Sequence, residues 1–502
     1  METFDKDLQS IQLARILAKK SKIASKKISE YTEEQIDKII KNMVRVAEEN
    51  KVVLAKMAVE ETGFGKVEDK ILKHQLASTM LYDSIKDMKT VGTIEEDIEK
   101  KLITIAEPVG VIMGIVPSTN PTSTTIYKSI ISLKSRNTIV FSPHPTAAKC
   151  TQLAAELMNK AAIEAGAPED VVSCLQVCTM QATNELMKSP DISLIIATGG
   201  PGMVKAAYSS GKPALGVGAG NSPAYIERSA NIEKAIKNII ASKTFDNGTI
   251  CASEQSIICE ESNKLAVIKE FDKNGGYFMT EEETDKVCKI LFKNGYTMDA
   301  KYVGKSAEVI ANGAGFKIPE GTKVLIGKQE GVGKGYPLSF EKLTTVLAFY
   351  TVKDWHEACD LSIQLLQNGI GHTMSIHTEN LEIVKEFAKK PASRILVNTG
   401  GSQGGTGGTT GLTPSFTLGC GTWGGSSISE NVNPMHLLNL KKVAYGLIDC
   451  DTFMKKAREV KIIDTNENEN NKYNTIELEK INKLSNEELF NLIDRISQAM
   501  KG

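Results

Sequence analysis

Residues 106–130 read AEPVGVIMGIVPSTNPTSTTIYKSI. The run 109–116 is apolar at consecutive positions, so it reads as a strand covered on both faces. Asn120 follows directly, ahead of Pro121, where a buried strand gives way to a turn. Further short apolar runs stand at 138–141, 171–177 and 192–197, separated by helical segments at 146–165 and 181–188. Buried strands alternating with helices predict a parallel sheet covered on both sides. Upstream, residues 1–90 read helical: Ile36, Ile39, Ile40, Met43 and Val44 share one face, and Thr32 before Glu33 and Glu34 supplies a start. Downstream, a second α/β region begins near Ala224. It holds a helix with Ile232, Ile236, Ile239 and Ile240 on one face, a loop carrying Cys251, and strands at 323–326 and 394–398. A domain boundary is therefore expected near 225.

The chain has 502 residues, so more than one domain is expected. A net charge of -1 gives no general attraction for nucleic acid or an anionic membrane. No apolar run is long enough to span a bilayer, and the first ten residues, METFDKDLQS, lack the apolar stretch of a secretory signal. The nine cysteines are irregularly spaced, which predicts reduced thiols in a cytoplasm rather than a disulfide framework. No CxxC occurs and no histidine lies close in sequence to Cys174 and Cys178, so no metal site is expected.

Single motifs leave alternatives open. ATGGPG (197–202) follows a strand and precedes a helix, as a phosphate-binding turn does, but Lys205 stands where a third glycine belongs. GVGAGN (216–221) is similar. Taken alone, either is equally a tight turn. Asn120 is an Asn-Pro turn or an amide donor at a strand's carboxyl end. His372 in GIGHT is a structural histidine or a base, and Glu341 in SFEKL is solvated or functional. Cys251 stands in FDNGTICASEQS (245–256), between an Asn247-Gly248 turn and an alternating stretch, 253–259. Residues 399–411, TGGSQGGTGGTTG, are too glycine-rich for the interior of a regular element, and 464–474, DTNENENNKYN, read as a flexible linker. Beyond them, Ser485 and Glu488 form a capping box, and Leu489, Leu492, Ile493, Ile496 and Met500 share a helix face.

Four stretches taken in order resemble the CoA-acylating aldehyde dehydrogenases. They are the opening stretch, ATGGPGMVKAAYSSGKPALGVGAGNSP, KTFDNGTICASEQS and TLGCGTWGGSSISENV. The resemblance covers roughly residues 10–450 and is closest to the aldehyde dehydrogenase half of bacterial bifunctional aldehyde–alcohol dehydrogenase. No iron-dependent alcohol dehydrogenase half is expected. The resemblance implies an α/β aldehyde dehydrogenase fold: a Rossmann-like NAD-binding domain over 1–225 with an oligomerisation arm at 92–107, an α/β catalytic domain over 226–420, and a second β-strand arm at 421–450. After these come the linker 464–474 and an amphipathic helix over 475–502.

The resemblance also implies a division of labour. Cys251 is the nucleophile, and the remaining cysteines, Cys150, Cys174 and Cys259 among them, pack the core. Attack by a thiolate turns an aldehyde into a thiohemiacetal, from which hydride leaves to NAD and an enzyme thioester remains. A positive surrounding from backbone amides and the oxidised nicotinamide is expected to favour the thiolate, and the Asn120 amide and the Cys251 N–H to hold the oxyanion. Hydrolytic relatives place a water-activating glutamate where this chain has Val217, so the thioester is expected to await coenzyme A, with His372 as base for the incoming thiol. Ile115, Val116, Pro117, Ser118, Thr119 and Asn120 are expected to line the nicotinamide end, Gly199 and Gly200 to approach the pyrophosphate, and Gly218 and Leu418 to border the nicotinamide. Glu341 is expected on the nicotinamide ribose. Ser142 and His144 fall in a Ser-Pro-His segment where hydrolytic members have Lys-Pro-Ser near the adenine ribose, and NAD rather than NADP follows from the relatives alone.

Acetaldehyde is the first expectation for substrate, with propanal, succinate semialdehyde and sulfoacetaldehyde as alternatives. A hydrolytic enzyme and an inactive scaffold are the competing readings; Val217 argues against the first, intact Cys251, Asn120 and Glu341 against the second. The terminal helix resembles the encapsulation peptides that direct such enzymes into bacterial microcompartments, which suggests shell proteins as partners. Docking on the enzyme itself or support of a homo-oligomer is the alternative.

Overall fold

The computed structural model describes residues 5–459, Ser485 and Asn491. The linker expected at 464–474 and the helix expected over 475–502 lie outside the described residues, apart from those two positions. Within them, 5–97 and 102–443 form one compact unit, and 98–101 with 444–459 a second.

The larger unit is built on two parallel sheets. The first holds, in spatial order, Val172–Cys174, Thr138–Pro143, Val111–Val116, Leu194–Thr198 and Ala214–Val217. Every residue of Val111–Val116 and of Thr138–Pro143 is buried, as consecutive apolar positions require. Chain order reverses around Val111–Val116: the next strands lie to one side of it and the later ones to the other. The carboxyl ends on either side of that reversal form a natural crevice.

Helix Lys6–Ile28 packs on this sheet, and helix Glu33–Thr62 packs on helices Pro121–Lys134 and Ala148–Glu164. Glu33–Thr62 begins with Thr32 and Gln35 in a reciprocal capping box and ends on Gly63 in the left-handed region (φ 70°). It buries Ile36, Ile39, Ile40, Met43 and Val44, the stripe read from the sequence.

The second sheet has seven strands, in the order Gly276–Phe278, Val324–Lys328, Val346–Val352, Glu254–Glu260, Ser222–Ile226, Gly371–His377 and Ala392–Val397. The expected boundary at 225 falls inside Ser222–Ile226; the change of sheet comes at 218–221. Glu254–Glu260 is buried at every position, so the alternation read over 253–259 does not mark one solvated face. The strand is central, and Glu254, Gln255 and Glu260 find partners inside.

Two other expectations differ. The glycine-rich stretch contains a one-turn helix, Gly401–Gly405, because its bare backbone packs against the nucleophile loop: a Cβ on Gly401 would lie 2.3 Å from the Ala252 carbonyl oxygen. Within 421–450 only Leu438–Ala444 is a strand. It joins Gly92–Asp97 and Leu102–Pro108 in a three-stranded sheet, while Thr422–Gly424 and Pro434–Leu437 are 3-10 turns. In the smaller unit, the Tyr445 N–H donates to the Lys101 carbonyl at 3.1 Å, and Cys450–Glu459 is helical. No helix among the described residues is long and apolar enough to cross a membrane.

Candidate active site

A cleft of about 510 Å³ opens at the carboxyl ends of the first sheet, a size suited to a cofactor or small ligand. Ile115 to Asn120, Ser142, His144, Gly199, Gly200, Gly218, Glu341 and Leu418 all line it, together with Cys251. The structure thus gathers residues spread over three hundred positions into one wall. His372 is buried just behind the sulfur rather than in that wall.

Cys251 follows a contorted turn. Asp246, Asn247 and Gly248 all adopt positive φ (50°, 53° and 77°), which Asn and Gly tolerate best. A Cβ at Gly248 would lie 2.7 Å from the Thr344 carbonyl oxygen. This turn lifts Cys251 from the head of Glu254–Glu260 into the cleft. Gly220, in the crossover between the sheets, touches the same loop: a Cβ there would lie 2.1 Å from the Cys251 carbonyl oxygen. Its N–H donates to Glu341 Oε1 at 3.0 Å.

The Cys251 Sγ lies 3.2 Å from His372 Nε2. His372 Nδ1 meets Thr373 Oγ1 at 2.8 Å, and Arg394 Nε donates to that same oxygen at 3.3 Å. For Nε2 to accept the thiol proton, the imidazole proton must sit on Nδ1 and point to Thr373. Burial, with Arg394 adding to it, holds His372 well below the ordinary imidazole range, so the ring is neutral. Burial pushes the Cys251 thiol up to about 12, with Glu341 and Cys420 pushing the same way and Arg394 opposing. Burial and the neighbouring side chains together therefore favour the thiol over the thiolate. The resting pair is a protonated thiol beside a neutral imidazole. Glu341 is itself pushed up to about 7 by burial, against the pull of the Gly220 N–H.

Asn120 sits at the start of helix Pro121–Lys134 and lines the cleft beside Cys251. Its Oδ1 accepts from Lys73 Nζ at 2.6 Å, and its Nδ2 donates to the Thr249 carbonyl at 3.3 Å and to Thr119 Oγ1 at 3.2 Å. Val217, the last residue of its strand, is buried against the same cleft.

The dinucleotide fits this wall by one test in particular. A Cβ on Gly200 or Gly218 would meet no protein atom within 4 Å, so the missing side chains leave open space on the cleft side. Helix Pro201–Tyr208 starts at Gly200 with no side-chain cap; Pro201 has no N–H and the Met203 N–H donates to the Gly200 carbonyl at 3.0 Å, so the Gly202 N–H is the first-turn donor left for an anion.

Sequence reading missed Lys73, Asp246, Arg394 and Gly220. Lys70 and Lys73, in helix Val67–Gln75, are 2% and 1% exposed. Arg394 was the one detectable signal, as a charge inside a strand otherwise apolar. It is buried, donating to Thr373, Ser429, Asn431 and Gly419.

A parallel sheet reversing around its first strand, with a cysteine–histidine pair at the cleft on its carboxyl ends, defines an α/β protein with a thiol nucleophile beside a base. Residues 8–336 match the aldehyde dehydrogenase family, and the chain belongs to it. The bifunctional aldehyde-alcohol dehydrogenase AdhE of Escherichia coli (strain K12) is 49% identical over 435 residues, covering 85% of this chain and 49% of that protein. The chain thus spans about half the length of the first curated relatives it matches. A crystal structure of an acetylating aldehyde dehydrogenase from Geobacillus thermoglucosidasius is 52% identical with a TM-score of 0.88, covering 89% of this chain and 99% of that one. A propionaldehyde dehydrogenase of Rhodopseudomonas palustris, solved with bound CoA and an acylated cysteine, is 27% identical with a TM-score of 0.79, covering 86% of this chain and 97% of that one.

Proposed function

We propose that this protein converts a short, uncharged aldehyde, coenzyme A and NAD+ to acyl-CoA and NADH through a thioester on Cys251, with acetaldehyde as the first substrate. The reading is carried by one observation: the cysteine–histidine pair faces a cleft in which Val217, not a carboxylate, ends the strand beside it.

The steps follow from the groups. His372 Nε2 takes the thiol proton as Cys251 Sγ attacks the aldehyde carbon. The carbonyl oxygen gains the charge and is met by the Asn120 amide and the Cys251 N–H. With Gly200 at its pyrophosphate, Glu341 at its ribose and Gly218 at its nicotinamide, NAD+ would accept the hydride that leaves the former aldehyde carbon, and the acyl group stays on Cys251 as a thioester. His372 then passes its proton to solvent and accepts that of the coenzyme A thiol, whose sulfur displaces Cys251 from the acyl carbon. Val217 cannot accept a proton, so water has no base from that position. Among the described residues, Glu341 is the one carboxylate in the cleft wall, and its assigned partner is the ribose.

The substrate class rests on charge. Among the described residues, no lysine or arginine lines the cleft. A carboxylate or sulfonate on the aldehyde would lose its hydration with no cation to meet it. Acetaldehyde and propanal should therefore exceed succinate semialdehyde and sulfoacetaldehyde in kcat/KM by about 10-fold or more, read as NADH formation with CoA. Equal rates with the anionic aldehydes, or free acid released without CoA, would overturn this reading.

For partners, the sheet of Gly92–Asp97, Leu102–Pro108 and Leu438–Ala444 exposes Leu440 and Val443. These support a homo-oligomer contact, for which mass in solution is the measure. The amphipathic pattern of 475–502 supports recruitment by microcompartment shell proteins. Deleting it should leave turnover intact and abolish co-purification with shell proteins; unchanged co-purification removes the idea.

A further inference from the structure

Asn120 poses a question of orientation. A carboxamide offers an acceptor and a donor of nearly the same shape, and only the donor helps an oxyanion. Something must hold it one way round.

Lys73 and Asp246, which do so, are not part of the cleft lining. Lys73 Nζ donates to Asn120 Oδ1 at 2.6 Å, to Thr249 Oγ1 at 2.9 Å, and to Asp246 Oδ2. All three ammonium protons are thus placed. Asp246 is fixed in turn: its Oδ2 also accepts from Lys70 at 2.8 Å, its Oδ1 accepts from the Lys66 N–H at 2.8 Å, and its own N–H donates to Asp69 at 2.8 Å. Gly65 makes room for that carboxylate, since a Cβ there would lie 1.8 Å from Asp246 Oδ1. Thr249 joins the circuit from the nucleophile loop, its hydroxyl donating to Asp246 Oδ2 at 2.8 Å.

Resting on the reading of Asn120 as oxyanion donor, we infer that Lys73, held by Asp246, is a positioning residue that fixes the Asn120 amide with its Nδ2 as the group turned to the reacting oxygen. An ammonium accepts nothing, so the flipped amide would set two donors face to face. The bond has a second consequence. A cation on Oδ1 draws electron density from the amide and makes its N–H a stronger donor. The two present partners of Nδ2, at 3.2 and 3.3 Å, are long, so the amide gives them up readily when a charged oxygen forms.

The test is a double-mutant cycle on the acylation burst, read as NADH formed in the first turnover with acetaldehyde and NAD+. Lys73→Met leaves Lys70 paired with Asp246, so the buried charges still balance. Melting temperature and NAD+ affinity check the fold, and Lys73→Gln is a second variant should Lys73→Met lose it. Asn120→Ala should slow acylation by about 100-fold. Lys73→Met should slow it by about 10-fold or more with Asn120 present, and by less than about 3-fold in the Asn120→Ala background. Equal fold-losses in both backgrounds would make Lys73 a merely structural residue and overturn the inference. An Asn120→Ala enzyme with unchanged acylation would instead overturn the reading of Asn120 on which it rests.

Discussion

Cys251→Ala should lower CoA-dependent NADH formation by at least about 10⁴-fold, because no other group in the cleft can form the covalent adduct. The chain has nine cysteines. Cys150, Cys174, Cys259, Cys359 and Cys420 are buried, Cys288 is half-buried and does not line the cleft, and Cys450 is exposed. Only Cys251 both lines the cleft and meets an imidazole, at 3.2 Å. Cys178 also lines the cleft, but its Sγ meets only the Leu175 carbonyl. Incubation with aldehyde and NAD+ in the absence of CoA should therefore leave the acyl mass on the peptide carrying Cys251. Finding it on Cys178 or Cys450, or steady NADH formation by the alanine variant, would refute the assignment.

Replacing His372 should change both the rate and the shape of its pH dependence. With the thiol pushed up to about 12, only about one sulfur in 10⁵ would be ionised at pH 7 without help. His372, kept neutral by burial, is free to take the proton at every pH in the working range. His372→Ala should thus cost about 10²- to 10⁴-fold in acylation near pH 7. The sign of the pH effect follows from the raised thiol. Below about 12 the thiolate fraction grows roughly tenfold per pH unit, so the variant should recover steeply as pH rises while the parent stays nearly flat. Parallel profiles for the two enzymes would show that the imidazole is not the base.

The parts of this site that were legible in the sequence were those with a local signature. Val111–Val116 announces itself by consecutive apolar residues, the Glu33–Thr62 helix by its spacing and cap, and the Cys251 turn by Asn247-Gly248. Their combination, in order, was enough to identify the family. What stayed hidden depends on distant pairing. Lys73 reads as an ordinary surface lysine until Asp246, more than 170 positions away, is folded against it. The burial that raises the thiol has no sequence signal either, and neither does the approach of Glu341, ninety positions on in the chain. The glycine-rich 399–411 stretch misled for the opposite reason. Its composition argues against a helix, yet contact with Ala252 and Glu254 admits no side chain at Gly401 and holds one turn of helix in place.

Gly220 bears on how the two sheets keep their distance. The segment that carries the chain from one to the other abuts the carbonyl of the nucleophile. The gap between the dinucleotide's bed and the sulfur is therefore gauged by main chain against main chain, the stiffest spacer a protein has. One added methyl group would pry that spacer open, and the transfer distance would widen with it.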